Sequence, residues 1–255
     1  MATIRDAKTL YGLIGYPIRH SFSAIYFNAK FEDEGIDAYY NNFELEDVGD
    51  LMEIIAEYPN LNGLNVTSPY KELIIPYMNE LDELARATGA VNVIKFVHGD
   101  KDNELRLVGY NSDVTGFELS IKKMLTPERD AALVLGTGGA AKAVTMALER
   151  LGVTVHAVSR RKSARTFTYE ELTRQMIAEH KIIVNATPVG SLPNVEECPD
   201  LPYRFLTPGH LCYDLVYNPS ETKFMRLAAA QGAQVKNGLE MLLLQAFRSY
   251  EIWNS

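Results

Sequence analysis

One short stretch, residues Ala131–Ala143, constrains the fold of this chain more than any other. Five apolar residues lead into glycines and then into helix-forming residues, in the order AALVLGTGGAAKA. This order predicts a strand, a tight turn and a helix. Gly136, Gly138 and Ala141 have the spacing of a dinucleotide-binding turn: one glycine permits the turn, the next lets the backbone approach a pyrophosphate, and a small residue lets helix and strand pack closely. The N–H groups at the start of the helix would bind the phosphates.

The residues after the next apolar run indicate which dinucleotide this turn binds. That run, Val153–Val158, ends in Ser159–Lys162, and Arg165 follows shortly. An NAD site usually has an acidic residue here, which accepts a hydrogen bond from the ribose 2′-hydroxyl. This chain has Arg160 and Arg161 instead, and a guanidinium binds a phosphate through two hydrogen bonds. Since the net charge of the chain is −8, the cationic cluster predicts NADP rather than NAD; a solvated basic loop is the structural alternative.

Composition excludes several classes of protein. The 255 residues can bury a sizeable core, and 47% hydrophobic with 23% charged residues is typical of a soluble globular protein. The excess of acidic residues argues against nucleic acid or a membrane surface as a partner, and the chain has neither a signal-peptide pattern nor an apolar run of membrane-spanning length. Cys198 and Cys212 lack metal-site spacing, so we expect free thiols, no metal site and a cytoplasmic location.

Strand-like and helix-like runs alternate from end to end, which predicts an α/β protein with largely parallel sheets. Strands are predicted near 10–15, 38–43, 63–66, 91–96, 105–110, 131–135, 153–158, 182–185 and 211–215. Helices are predicted near 23–34, 48–57, 70–75, 80–88, from 113, after 138, and at 223–232 and 238–253. The last helix is apolar on nearly every face at its start, which predicts that it is buried.

Lys71 departs from the local rules for a helix start. A hydroxyl followed by Pro69 predicts a helix with a capped N-terminus and the proline in its first position. A capping box would place Glu or Gln where Lys71 stands, and a cation near a helix N-terminus is unfavourable by about 0.3–1 kcal/mol. Because such departures collect at functional sites, Lys71 is a candidate catalytic residue; the alternative is a solvated surface lysine.

Two other polar residues stand out against apolar surroundings. Asp113 precedes a predicted helix, so it is either an ordinary N-cap or a carboxylate in the cleft between two units. Gln245 lies four residues after Met241 on one face of an apolar helix, where a buried amide needs partners. Spacing leaves open whether backbone groups or a polyhydroxyl ligand supply those partners.

Taken together, these residues resemble the shikimate dehydrogenase family along nearly the whole chain. Several independent motifs in the family's order carry the resemblance, which makes it far more specific than the glycine turn alone. They are residues 15–23 (GYPIRHSFS), 65–71 (NVTSPYK), 89–92 (GAVN), 109–113 (GYNSD), 185–188 (NATP), 214–219 (DLVYNP) and 237–245 (NGLEMLLLQ). The chain departs from the family at Ser159–Arg161, where Asn-Arg-Thr is frequent, and at Val189–Ser191, where many members have Gly-Met.

The resemblance implies an NADP-dependent oxidoreductase that reversibly reduces 3-dehydroshikimate to shikimate, a step of chorismate and aromatic amino acid biosynthesis. By that likeness Lys71 and Asp113 form the catalytic pair, which handles the proton of the reacting hydroxyl. The implied substrate-binding residues are Ser21 and Ser23 for the carboxylate, and Thr67, Asn92 and Gln245, assisted by Tyr217, for the hydroxyls. The implied cofactor-binding residues are Gly136, Gly138, Gly139, Ala140, Ser159, Arg160, Arg161, Thr187 and Gly238.

The resemblance also implies two domains. Residues 1–113 with 236–255 would form an α/β substrate-binding catalytic domain, to which the last helix returns, and residues 114–235 a Rossmann-type NADP-binding domain. The cleft between them would close on binding. The expected partner is a small-molecule substrate, bound by a monomer or a homodimer.

Two other functions stay open. A quinate or dual quinate/shikimate dehydrogenase would share the fold and the chemistry; by resemblance, the Ser21 and Ser23 pair favours shikimate. A non-catalytic NADP-binding sensor on the same fold would not need both Lys71 and Asp113, so the presence of both argues against it.

Overall fold

Strands and helices alternate along the chain, as the sequence predicts. The computed structural model describes residue 4 and residues 7–18, 21–99, 105–164 and 166–255. The chain divides into two units, Met1–Ser112 with Ala246–Ser255 and Asp113–Gln245. The described strands form two six-stranded sheets. The prediction of an α/β fold with two domains is confirmed.

The first unit contains a mixed sheet. Its elements are β1 (Thr9–Gly15), α1 (Ser23–Asp33), β2 (Ala38–Glu44), α2 (Leu51–Glu57), β3 (Leu61–Val66), α3 (Tyr70–Leu73), β4 (Glu80–Leu81), α4 (Glu83–Thr88), β5 (Val93–His98) and β6 (Leu105–Tyr110). The strand order is β2-β1-β3-β5-β6-β4. β1 pairs in parallel with β2 and β3, whereas β5 is antiparallel to β3 and β6. The segment between β5 and β6 is too short for the crossover that parallel neighbours need.

The second unit contains a parallel sheet. Its elements are α5 (Ser112–Ile121, which starts on the last residue of the first unit), β7 (Ala131–Leu135), α6 (Gly139–Arg150), β8 (Thr154–Val158), β9 (Thr166–Phe167), α7 (Arg174–Glu179), β10 (Ile182–Asn185), β11 (Leu211–Asp214), α8 (Lys223–Ala229), β12 (Gln234–Lys236) and the first part of α9 (Leu239–Trp253). The strand order is β12-β11-β10-β7-β8-β9. This is the doubly wound order of dinucleotide-binding folds, whose topological switch point lies between the strands that correspond to β7 and β10.

Both faces of the first sheet are covered. Along β1, Leu10 and Ile14 belong to one hydrophobic core and Tyr11 to another, as expected for successive side chains on opposite faces. On the second face, Trp253 at the end of α9 stacks on Tyr11 with ring centroids 4.6 Å apart. The Trp253 Nε1–H also donates to the carbonyl oxygen of Ile94, at 3.1 Å. The last helix therefore returns to the first unit, as predicted.

One stripe of α9 contradicts the prediction that this helix is buried. Leu239, Leu243 and Phe247 are 43%, 36% and 51% exposed and follow one another at four-residue spacing, so they lie along one side of the helix. An apolar composition did not distinguish this side from the buried one. Within the described part of the chain, no helix is both long and apolar enough to cross a membrane.

The second unit ends at Gln245, whereas the second domain predicted from the sequence ends at residue 235. The second unit includes β12, which pairs with β11. It also includes the start of α9, which packs closely on this unit, since a side chain on Gly238 would collide with Leu215 and one on Gly116 with Gln245. The units are defined by contacts and the predicted domains by function, so the functional boundaries at 113 and 236 stay a prediction. The short strands β4, β9 and β12 were not predicted, since two or three residues carry no periodic pattern.

Candidate functional site

The mixed sheet of the first unit places several motif residues at one edge. β1 and β3 are parallel, so their carboxyl ends are neighbours. β5 is antiparallel to its neighbours, so its start lies at that same edge, where Asn65, Val93 and Tyr110 are in register. The segments that leave or enter this edge carry five of the predicted site residues: Ser21, Ser23, Thr67, Lys71 and Asn92.

Two serine hydroxyls lie at the start of α1. The Ser23 N–H donates to the Ser21 Oγ at 3.3 Å. Ser21 therefore caps the start of the helix, whereas the side chain of the N-cap residue, Phe22, makes no capping hydrogen bond. Ser23 also hydrogen-bonds to the Tyr40 hydroxyl, whose pKa burial raises well above its usual value. Tyr40 is therefore a neutral partner at all physiological pH values. Half-buried hydroxyls beside the N–H groups of a helix start are suited to bind a carboxylate.

Thr67 lies close to the end of β1 because Gly15 has no side chain. The Thr67 N–H donates to the carbonyl oxygen of Ile14 at 2.9 Å. A Cβ on Gly15 would lie only 2.4 Å from the Thr67 Cγ2, so a larger residue would push the two segments apart. Gly15 thus positions Thr67, a role that the motif alone did not reveal.

Lys71 lies on a single helical turn rather than at a capped helix start. α3 has four residues, Pro69 is its N-cap, and no side chain among the described residues caps it. The predicted hydroxyl cap with proline in the first helical position is therefore wrong, and one turn has too few aligned peptides for a strong dipole. The backbone fixes the residue instead, since the Lys71 carbonyl oxygen accepts from the Val91 N–H at 2.7 Å. This bond ties Lys71 to the segment that carries Asn92.

Asn92 belongs to a buried hydrogen-bond network. Its Nδ2 donates to the Ser112 Oγ at 2.9 Å, and its Oδ1 accepts from the Ser112 N–H at 2.7 Å. Asn65 extends the network: its Nδ2 donates to the Asn92 carbonyl oxygen (3.2 Å) and to the Ser249 Oγ (2.9 Å), and its Oδ1 accepts from the Tyr40 hydroxyl (2.9 Å). All five residues are at most 6% exposed. Such a satisfied network holds its amides in fixed orientations.

Sequence reasoning assigned no role to four members of this network. Asn65 and Ser112 lie within the recognised motifs, whereas Tyr40 and Ser249 lie in a strand and a helix without any distinguishing pattern. The one signal available was the position of Asn65 between two apolar residues near the end of β3. The network shows that Asn92 orients Ser112 in addition to any contact it makes with a ligand.

Asp113 follows the anchored Ser112 directly in the chain. Because α5 begins at Ser112, Asp113 is the second residue of the helix and not its N-cap, which was the structural alternative. Asp113 is only 5% exposed. An acidic residue in the first turn of a helix is favoured by the helix dipole.

The glycine turn of the second unit has the predicted conformation. Gly136 has a φ of +112°, a region that residues with side chains rarely adopt. Gly138 is the N-cap of α6, and a Cβ built on it would meet no described atom within 4 Å. Gly139 and Ala140 begin the first turn, which holds no acidic residue and, among the described residues, has no capping side chain. The N–H groups of this turn can therefore bind a phosphate, and the missing side chain of Gly138 leaves room for it.

Two arginines follow β8. The Ser159 Oγ accepts from the Arg161 N–H at 3.3 Å, which fixes the turn that carries them. Arg160 and Arg161 are exposed and have no ion pair with a described residue, whereas Lys162 is paired with a glutamate. Arg165, the fourth cation of the predicted cluster, lies outside the described residues. Two guanidinium groups remain for a phosphate on the ribose.

A buried chain of hydrogen bonds supports Thr187 at the switch point. The Asn185 Oδ1 accepts from the Thr187 N–H (3.1 Å) and hydroxyl (2.6 Å), and its Nδ2 donates to the Asp214 Oδ1 (2.9 Å). Asp214 also accepts from the Thr222 hydroxyl at 2.6 Å and from the Val216 N–H at 3.0 Å. Burial nevertheless raises the pKa of Asp214 to about 6. Sequence reasoning missed Asp214, although a carboxylate that ends a buried strand was visible.

The remaining predicted residues lie on the segments around α9. A Cβ on Gly238 would lie 2.1 Å from the Leu215 carbonyl oxygen, so the structure gives this glycine a packing role. The Gln245 Nε2 donates to a carbonyl oxygen one turn earlier in its own helix, at 2.9 Å. Gly116 of α5 approaches Gln245 closely, since a Cβ there would lie 2.9 Å from the Gln245 Cβ. Tyr217 follows β11 and is half-buried.

The two sets of groups differ in chemistry. The edge of the first sheet offers hydroxyls, an amide and a lysine, which suit a small hydroxylated acid. The second unit offers a glycine turn, a helix start and two arginines, which suit a dinucleotide with an additional phosphate.

Comparison with known proteins links both sets to one family. Residues 13–94 match the family described as the shikimate dehydrogenase substrate binding domain. Over the whole chain, the shikimate dehydrogenase (NADP(+)) of Geobacillus kaustophilus is 38% identical over 265 residues, which cover 96% of this chain and 92% of that relative.

Solved structures of similar enzymes share the fold of this chain. The shikimate 5-dehydrogenase of Thermus thermophilus, solved in complex with NADP(H) and shikimate, superposes with a TM-score of 0.83 at 30% identity and covers 96% of this chain and 93% of that one. The quinate dehydrogenase of Corynebacterium glutamicum, in complex with NAD, superposes with a TM-score of 0.82 at 26% identity over the same shares of the two chains.

Proposed function

The chain belongs to the shikimate dehydrogenase family, and we propose that it catalyses the reversible, NADP-dependent reduction of 3-dehydroshikimate to shikimate. One observation carries this proposal: the mixed sheet of the first unit gathers at one edge the segments that bear the family's motif residues. Relatives that bear the activity in their names match nearly the full length of the chain.

The cofactor assignment to NADP rests on the second unit. The positive φ of Gly136 and the open space at Gly138 fit a pyrophosphate at the start of α6. Arg160 and Arg161 fit a 2′-phosphate, which no acidic residue at the end of β8 would repel. Gly139, Ala140, Ser159, Thr187 and Gly238 are proposed as further contacts; of these, Thr187 is held by Asn185.

The substrate assignment rests on groups of matching chemistry. Ser21 and Ser23 bind the carboxylate at the start of α1, where N–H groups add to the two hydroxyls. Thr67, Asn92, Gln245 and Tyr217 bind the ring hydroxyls. A ligand that lacks a hydroxyl leaves such polar groups desolvated and unpaired, so the same groups discriminate against it.

Lys71 and Asp113 are proposed as the catalytic pair. When bound, NADPH supplies a hydride to the carbonyl carbon, and NADP accepts it in the reverse direction. Lys71 gives a proton to the carbonyl oxygen during reduction and takes it from the hydroxyl during oxidation. Asp113 takes part in this proton transfer and orients the groups involved. The bond that the Val91 N–H donates to the Lys71 carbonyl oxygen fixes the backbone of Lys71. The two bonds between Asn92 and Ser112 fix the residue that precedes Asp113.

A quinate or dual quinate/shikimate dehydrogenase is the second candidate. It is favoured by the structural likeness to the quinate dehydrogenase of Corynebacterium glutamicum, which is solved with NAD. Arg160 and Arg161, which favour NADP, argue against an exact functional match to that enzyme. A non-catalytic NADP-binding sensor is the third candidate and requires neither Lys71 nor Asp113.

The cellular setting follows from the same proposal. We propose a cytoplasmic enzyme of aromatic amino acid biosynthesis, active as a monomer or a homodimer, whose partner is its small-molecule substrate. Both cysteines are free thiols, which agrees with a reducing compartment. Light scattering during size-exclusion chromatography determines the oligomeric state.

The decisive experiment measures NADPH or NADH appearance by absorbance with shikimate or quinate and NADP or NAD. Turnover mainly with shikimate and NADP supports the proposal. Turnover mainly with quinate would assign the substrate as quinate, with the same hydride and proton transfer. Failure of all four combinations, with NADP still bound in a fluorescence titration, refutes the enzyme and favours the sensor.

A further inference from the structure

The second unit has a surface cavity away from the residues discussed so far. Its volume is about 390 Å³, and its lining includes Arg174, Lys181 and Arg204 together with Phe205 and Leu206. Cavities of about 300 Å³ or more accept small organic ligands. The lining thus combines three cationic side chains with two large apolar ones, in a chain whose net charge is −8.

None of these three cations is neutralised by the described part of the chain. Arg174, Lys181 and Arg204 have no ion pair with a described residue, whereas Arg150 and Arg226 of the same unit each pair with a glutamate. The Arg204 guanidinium lies over the Phe205 ring, 4.6 Å from its centroid, which holds it at the cavity while its charge stays available. Like charges brought together without counter-charges repel one another, so an anion bound between them would relieve this repulsion.

The wall of the cavity is rigid and uncharged beside the cations. His210 is fully buried, and its Nε2 lies 2.8 Å from the carbonyl oxygen of Ile177. Its Nδ1 accepts from the Thr207 N–H at 3.0 Å. Burial lowers the pKa of His210, and the Lys181 charge lowers it further. His210 is therefore neutral and supports the cavity, while the positive charge comes from the three basic side chains.

The cavity lies at the opposite end of two strands from the proposed cofactor contacts. Lys181 directly precedes β10 and His210 directly precedes β11, whereas Asn185 and Asp214 end these strands. Ligands of doubly wound sheets bind at the carboxyl ends of the strands, so this cavity at the amino ends does not belong to the dinucleotide site.

We propose that this cavity is a second anion site, which binds a small metabolite with at least two negative charges and a flat apolar body. The anionic group lies between Arg174, Lys181 and Arg204, and the apolar body lies on Phe205 and Leu206. A phosphate monoester of a ring compound has this chemistry. The site is independent of the dinucleotide site, so both ligands bind at once.

The test is calorimetric titration of the full-length protein with inorganic phosphate and with phenyl phosphate at low ionic strength. An Arg160→Ala/Arg161→Ala background removes the phosphate-binding arginines of the proposed dinucleotide site, so the result does not depend on whether NADP binds. In this background we expect the cavity to bind both ligands, phenyl phosphate more tightly than inorganic phosphate, because its ring is removed from water on Phe205 and Leu206. Affinity falls with added salt, as for exposed charges.

Matched variants identify the site. Adding Arg174→Ala/Arg204→Ala is expected to weaken phenyl phosphate at least about tenfold, since two hydrogen-bonding charges are lost. Lys122→Ala/Lys123→Ala removes the same charge from exposed positions of the same unit and leaves the affinity within about twofold. If the arginine pair proves essential for folding, Lys181→Gln replaces it, with a smaller loss in the same direction. Absence of binding, or equal losses in the arginine and lysine pairs, overturns the proposal.

Discussion

Replacement of Asp214 by asparagine tests the balance between burial and hydrogen bonding at the ends of β10 and β11. The carboxylate accepts three hydrogen bonds, from Asn185, Val216 and Thr222, which favour its charged form. Burial opposes them and raises the pKa from its ordinary 3.8 to about 6. If burial dominates, the charged form of Asp214 costs stability at neutral pH.

The sign and size of the effect follow from this shift. A group whose pKa is higher in the folded than in the unfolded protein stabilises the fold fully below its unfolded pKa, and this stabilisation is lost as the pH rises through the folded pKa. The shift from 3.8 to about 6 is about two pH units, each worth about 1.4 kcal/mol. The full shift is therefore worth about 3 kcal/mol. About 2 kcal/mol of this stabilisation is lost between pH 4 and pH 7, because at pH 4 the carboxyl of the unfolded protein is already more than half ionised.

Asp214→Asn removes the titration and keeps the hydrogen bonds. Its amide oxygen can accept from Asn185 and Val216, and its NH₂ can donate to the Thr222 oxygen. We expect the variant to be within about 1 kcal/mol of the natural protein at pH 4. At pH 7 the variant is expected to be the more stable of the two, by about 2–3 kcal/mol.

Urea unfolding followed by far-ultraviolet circular dichroism at pH 4 and pH 7 measures the difference. Asp214→Ala is the control: it leaves three buried donors without an acceptor, at about 1–3 kcal/mol each, and is destabilised at both pH values. The reasoning is refuted if the difference between Asp214→Asn and the natural protein does not change with pH, because the three hydrogen bonds would then offset the effect of burial.

Three further substitutions test the proposed site and its support. Lys71→Ala is expected to lower kcat about 10²–10⁴-fold in the absorbance assay with little change in NADP affinity; a near-normal rate removes Lys71 from the mechanism. Arg160→Ala is expected to weaken NADP by about 1.5–3 kcal/mol in a fluorescence titration and scarcely affect NAD, whereas equal losses would mean that the arginine supports the fold. Gly238→Ala is expected to cost about 1–3 kcal/mol through overpacking, since its Cβ would lie 2.1 Å from a carbonyl oxygen. Its control is Gly209→Ala, whose nearest neighbour would be 3.7 Å away; equal thermal midpoints for the two variants would contradict the packing role of Gly238.

The sequence predicted correctly those features for which a residue type at a given position has a single physical explanation. The glycine turn is an example, since Gly136 adopts the positive φ that the predicted turn requires. Strands of four or more residues were also predictable, because a largely apolar run such as that of Ile182–Asn185 is typical of a strand covered on both faces. These features depend only on neighbouring residues.

Features that depend on distant residues were not predictable in the same way. The prediction of a hydroxyl cap followed by Pro69 in the first helical position was wrong. α3 is a single turn, and the bond from the Val91 N–H to the Lys71 carbonyl oxygen sets its position, not a capping side chain. Asp214 was hidden in an apolar run, and its function as an acceptor depends on Asn185, which lies 29 residues earlier in the chain. The exposed stripe of α9 depends on which side of the helix the rest of the chain covers.

Asn92 shows how a residue can serve both the fold and a ligand. An amide has two donor hydrogens and two acceptor lone pairs, and the bonds to Ser112 use one of each. One hydrogen and one lone pair remain for a substrate hydroxyl, which both donates and accepts. Asp at this position would keep the bond from the Ser112 N–H, but it would replace the donor with an oxygen and add a charge to a residue that is 2% exposed. The amide therefore satisfies both demands at once, which explains why the same residue can orient the start of α5, next to Asp113, and contact the substrate.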